Sequence, residues 1–141
     1  MAVNPALLAG TAAAALVALG VGLWLGQNPA PPVDAIAVPS GQIVTLIEVI
    51  ANEPGPAGLT SRFRFLATEI AGLDQDMAQQ DLAALCQSYA LPRIPTTGPQ
   101  PAQIVISLSD RVLPFGDAAP EATQLFGAFS RQDGACVEEL F

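Results

Sequence analysis

Apolar residues crowd one end of the chain and are spaced out along the rest. No side chain is charged from residue 5 to residue 25, and the first charge in the chain is Asp34. A helix over those 21 residues would rise roughly 30 Å, the thickness of a bilayer's hydrocarbon core. Asn4-Pro5 offers an N-cap followed by proline at the first helical position. Trp24 falls near the far end, where an indole favours the membrane interface, and Gln27, Asn28 and Pro29 end the run. The segment 1–26 therefore reads as a single transmembrane anchor. The alternative is a cleaved signal peptide. Against it, no Lys or Arg precedes the run, and the run outlasts the roughly 7–15 apolar residues usual for such signals. Gly10, Ala14, Ala18, Gly22 and Gly26 recur every four residues, a small-residue face suited to packing against another helix.

Residues 27–41 carry four prolines by Pro39 and read as a stiff, extended spacer. Residues 42–50 (QIVTLIEVI) are β-branched and apolar on both sides, the pattern of a mostly buried strand. Residues 52–56 (NEPGP) read as a loop. Residues 61–67 alternate, with Phe63 and Phe65 on one face and Arg62 and Arg64 on the other, which predicts a half-buried strand paired with the first. Asp74 caps a helix reaching about Tyr89, with Ala78, Leu82, Leu85 and Tyr89 as its apolar stripe and Pro92 as its stop. Residues 103–108 (QIVISL) are a further strand.

The segment 120–131 fits a helical stripe as well as a strand. Asp133-Gly134 is a strong two-residue hairpin turn and decides for the strand. In that register Arg131 faces Cys136, and Leu125, Phe129, Cys136 and Leu140 share one face. The expected order is β-β-α-β-β-β over residues 42–141. This is an α+β domain with a small antiparallel sheet and one packed helix.

Charge sharpens the picture. The chain carries 13 acidic and 5 basic residues, a net charge of −8, with no Lys and no His. Nucleic-acid binding, which depends on clustered Lys and Arg, is excluded as an expectation. The lack of His removes the commonest general base and metal ligand, and the lack of Lys removes Schiff-base chemistry. No phosphate-cradling glycine loop is present. The expectation is a protein without enzymatic activity, cofactor or metal. Asp74, Asp76 and Asp81 read as a solvated helix start. Ser109-Asp110-Arg111 reads as a turn with a local ion pair, and Arg62 and Arg64 as partners of internal carboxylates. All four of Arg62, Arg64, Asp110 and Arg111 remain candidates for contact with a partner. The two cysteines, Cys86 and Cys136, pair as a disulfide in an exported domain; two buried thiols are the cytosolic alternative.

The strings Arg62-Phe63-Arg64-Phe65, Val105 to Arg111 (VISLSDR), Phe115-Gly116, Pro120 to Gln124 (PEATQ) and the ending near Cys136 resemble an uncharacterised family of small exported proteins from Rhodobacter-like alphaproteobacteria. The likeness covers roughly residues 38–141. It implies no activity, but it implies a setting crowded with respiratory and photosynthetic membrane complexes. The expected protein sits in the inner membrane as a single-pass chain, N-terminus cytoplasmic and domain periplasmic. Its expected role is an accessory or assembly subunit of a membrane protein complex. The alternative is a tethered or secreted binding module for a peptide, lipid or small molecule.

Overall fold

The computed structural model describes residues 29–140. The anchor and its small-residue face, Gly10, Ala14, Ala18, Gly22 and Gly26, lie outside the described residues. Among the described residues no helix is long and apolar enough to cross a membrane.

Five strands form one sheet: β1 (Thr45–Gly55), β2 (Gly58–Leu66), β3 (Gln103–Ser109), β4 (Gln124–Gln132) and β5 (Ala135–Glu138), in that spatial order. One helix, α1 (Gln75–Leu85), continues through a wide π-helical turn (Cys86–Ala90) and a last α-helical turn (Leu91–Arg93). The expected element order is present, but the sheet is mixed rather than antiparallel. β2 and β3 run parallel, while β1–β2, β3–β4 and β4–β5 are antiparallel. The reason is the crossover. The helix carries the chain from the end of β2 back to its start, so β3 enters beside β2 in the same direction.

Alternation along the strands sets two faces. Phe63, Phe65, Ile104, Ile106, Leu108 and Phe129 point to the helix side and are buried there with Ala78, Leu82 and Leu85. This is the predicted helical stripe, and each such buried Leu or Phe contributes roughly 1.5–3 kcal/mol. Tyr89 closes the stripe edge-on to Phe65, ring centroids 5.3 Å apart. Gly127 of β4 lies under Leu82. A Cβ there would come within 2.8 Å of the Phe129 ring, so glycine leaves room for that ring in the core. Asp74 caps α1 by accepting from the Met77 N–H at 3.3 Å. Helical structure runs past Tyr89 to Arg93, with Pro92 inside the final turn, where its missing N–H follows the widened turn.

Several boundaries differ from expectation. β1 starts at Thr45 and runs on through residues 52–55, which were expected in a loop; the turn is Pro56-Ala57. β1 is an edge strand, where Pro54 costs no interior ladder bond, and Asn52 takes a left-handed φ of 55° at an irregularity in pairing. The second half of the Pro-rich stretch packs on the domain: Ile36 bridges Val44, and Ile36 and Val38 lie against the core. Asp81, expected in a solvated helix start, is fully buried. It accepts from the Ser40 N–H (2.9 Å), the Ser40 hydroxyl and the Gln42 amide (2.8 Å), which tie this segment to α1. The β4–β5 hairpin forms as expected, with φ of 50° at Asp133 and 77° at Gly134, and Arg131 opposite Cys136. Leu140 lies beyond the end of β5 and is exposed, against the expectation that it shares the buried face.

Candidate functional site

Among the described residues no helix covers the other face of the sheet. Here β2 presents Arg62 and Arg64, β3 presents Val105 and Ser107, and β4 presents Gln124 and Phe126. The connection from β3 to β4, residues 110–123, is covalently long for neighbouring antiparallel strands. Connections of such length usually either serve a function or lack order. This one is folded over the open face. Leu113 is buried, and its carbonyl accepts from the Arg64 guanidinium at 2.6 Å.

Between loop and sheet lies a cavity of about 370 Å³, at the lower end of small-ligand sites. Its walls are Arg62, Arg64, Val105 and Ser107 from the sheet, Pro114 to Ala118 from the loop, and Gln124 and Phe126 from β4. Phe115 and Phe126 are about half exposed at its mouth. The guanidinium carbons of Arg62 and Arg64 stand 5.5 Å and 5.7 Å from the centre of the Phe115 ring, close enough for cation–π attraction.

The two arginines are held differently. Arg64 is buried, ion-paired with Glu48 across the β1–β2 ladder, and bonded to Leu113. Both arms of its fork are committed to building the site. Besides its approach to the Phe115 ring, Arg62 makes one hydrogen bond among the described residues, Nε to Glu53 at 3.3 Å. Its two terminal nitrogens have no protein partner among the described residues. The expected internal ion pairs are therefore present, and they also place both guanidiniums on the cavity wall.

Asp110 and Arg111 go elsewhere. Arg111 grips Asp110 through two bonds of 3.0 Å and 3.3 Å and reaches the Glu121 carbonyl, as a closed turn at the root of the loop. The Arg111 hydrogen bonds hold the Asp110 carboxyl below the usual carboxylate range, with a smaller contribution from the Thr123 backbone. Neither residue lines the cavity. Cys86 and Cys136 are joined, sulfur to sulfur at 2.14 Å, linking the π-helical turn to the short edge strand β5.

Ser107, Phe115 and Phe126 escaped the reading of the sequence. The signal available was weak: a polar residue inside an otherwise apolar strand, and aromatics in and after a long connection. Among the described residues no cluster of potential metal ligands is present.

What the fold and site define is a small α+β domain, a mixed five-stranded sheet sealed by a helix on one face and carrying a loop-covered cavity on the other. The chain belongs to DUF6497, a family of unknown function, whose model matches residues 14–141. No curated protein and no solved structure matches it.

Proposed function

We propose that the domain is a recognition module without enzymatic activity. It is held at the inner membrane by segment 1–26, faces an oxidising compartment, and binds a small ligand in the cavity of the open sheet face. The observation that carries this reading is the cavity itself. It is mostly apolar, floored by a rigid sheet, and edged by a few fixed polar groups, the usual anatomy of a ligand site. The bonded cysteines support the oxidising compartment. The lining offers a hydroxyl at Ser107 but no His or Lys to activate it, which supports binding over catalysis.

Ala118 is an exposed loop residue on the cavity wall, so Ala118→Trp plugs the space without touching the core. The test is a fragment screen by NMR on the full chain in detergent. Fragments should perturb Ser107, Phe115 and Phe126 in the wild type and lose those effects in Ala118→Trp. Fragments that bind both proteins equally would remove the reading.

A second reading, an accessory or assembly subunit of a respiratory or photosynthetic complex, draws on exposed apolar residues of the β3–β4 loop and of β4: Val112, Phe115 and Phe126. Mild-detergent recovery of tagged full-length protein from its membranes tests it. One complex at fixed ratio, lost on Phe126→Asp, would put a protein neighbour on this face.

A further inference from the structure

Five cations serve a chain of net charge −8, so where they gather is informative. Arg93 lies over the Tyr89 ring, Arg111 is closed on Asp110, and Arg131 bonds Gln100. The remaining two line one cavity. A second groove among the described residues, about 320 Å³ along residues 31–43, has no charged residue in its lining. The Arg62–Arg64 cavity thus brings two guanidiniums to apolar surface, with Asp117 the one carboxylate in the lining and Glu48 and Glu53 paired to the arginines from β1.

The two guanidiniums divide the work. Arg64 is spent on Glu48 and on the loop carbonyl of Leu113. Among the described residues Arg62 leaves its terminal nitrogens without a partner, is 29% exposed, and is tied by Nε to a Glu53 that is itself 30% exposed. A guanidinium held by one edge and open at the other is set for a two-point hydrogen bond to a carboxylate. Beyond it, Val105, Phe115 and Phe126 form the apolar remainder.

We infer that the cavity binds a small carboxylic acid with an aromatic or short aliphatic body. The carboxylate bridges the free terminal nitrogens of Arg62, and the body lies against Phe115 and Phe126. This rests on the reading of the cavity as a ligand site. Glu53 is the built-in competitor: it shares Arg62 with the ligand, so removing its charge tightens binding. A merely structural role for the Arg62–Glu53 pair gives no such gain.

The experiment uses two probes of one shape and opposite charge, 3-phenylpropionate and phenethylamine, titrated by NMR into the full chain in detergent. Four proteins are compared: wild type, Arg62→Gln, Glu53→Gln and Ala118→Trp. Expected is saturable binding of 3-phenylpropionate at the cavity, weakened about tenfold or more in Arg62→Gln. Glu53→Gln should bind it severalfold more tightly, and Ala118→Trp should not bind it. An unfolded Arg62→Gln would leave the Glu53→Gln gain as the deciding measurement. Phenethylamine binding at the cavity in place of the acid would overturn the carboxylate inference and leave the ligand site standing, as would acid binding indifferent to both Arg62→Gln and Glu53→Gln. If neither probe binds, and no fragment effect is lost in Ala118→Trp, both fall.

Discussion

On the helix side of the sheet, Phe63 and Phe65 meet Leu82, Leu85 and Tyr89 with almost no exposure of the two phenylalanines. One residue along the same strand, Arg62 and Arg64 meet carboxylates, a loop carbonyl, an aromatic ring and a cavity. The closed side is made of contacts that gain from being dry. The open side is made of charges that keep part of their exposure and of a loop held down at few points. A single strand thus divides its residues between holding the domain together and presenting a surface. The alternation that makes this possible is a property of the extended backbone.

The closed side is where the largest losses should fall. Cys86–Cys136 joins the helical turn to β5, which is only four residues long and lies at the sheet's edge. The bond spans 50 residues, and constraining the unfolded chain by such a loop contributes about 4 kcal/mol in the chain-entropy model. The double variant Cys86→Ala/Cys136→Ala should lose about that much in urea unfolding. The cavity's affinity for any ligand should stay unchanged as long as the domain is folded. Equal damage to stability and to the cavity would mean that the two sides are not separable.

Arg64 tests the open side. Replacing it with Met keeps the stem and deletes the bonds to Glu48 and Leu113. The buried Leu113 carbonyl loses its partner, while Glu48, 43% exposed, is rescued by water. The cost is about 2 kcal/mol, smaller than that of the disulfide. It should be local: faster amide exchange across the loop 110–123 and loss of ligand effects at Phe115, with protection of α1 intact. Uniform loss of protection would assign Arg64 to the core instead.

How much of this was legible follows the range of each interaction. The faces of β2, the Asp74 cap, the helical stripe, the Asp133-Gly134 hairpin and the pairing of Arg131 with Cys136 are all local patterns or follow from a two-residue turn, and the sequence carries them. The parallel pairing of β2 with β3 depends on where the helix returns the chain, which no local pattern states. Asp81 looks like any acidic residue on a helix, because its partners Ser40 and Gln42 lie 41 and 39 residues earlier. The cavity is further still from local pattern. Arg62 and Arg64 are visible as one face, but the loop that roofs them arrives from beyond β3, bolted by a backbone carbonyl that has no sequence signature. Asp110 and Arg111, which look equally suited to a partner, satisfy each other because they are adjacent.

That pair gives the smallest effect and the finest test of how the open side is anchored. Arg111 lowers the Asp110 carboxyl in the folded protein, so folding favours the ionised form. The contribution to stability is then present above the ordinary aspartate range, about pH 4, and is lost as pH falls through the lowered folded value. Arg111 is exposed, so the contribution is slight and weakens with added salt. Wild type and Asp110→Asn should therefore differ slightly in urea midpoint at pH 7, and the difference should close on acidification below about pH 4. Raising the salt at pH 7 should narrow it in the same direction. A difference that held constant from pH 7 to pH 3 and ignored salt would mean that the charge of Asp110 is not what the substitution removes, since Asn keeps the backbone N–H that bonds the Thr123 carbonyl.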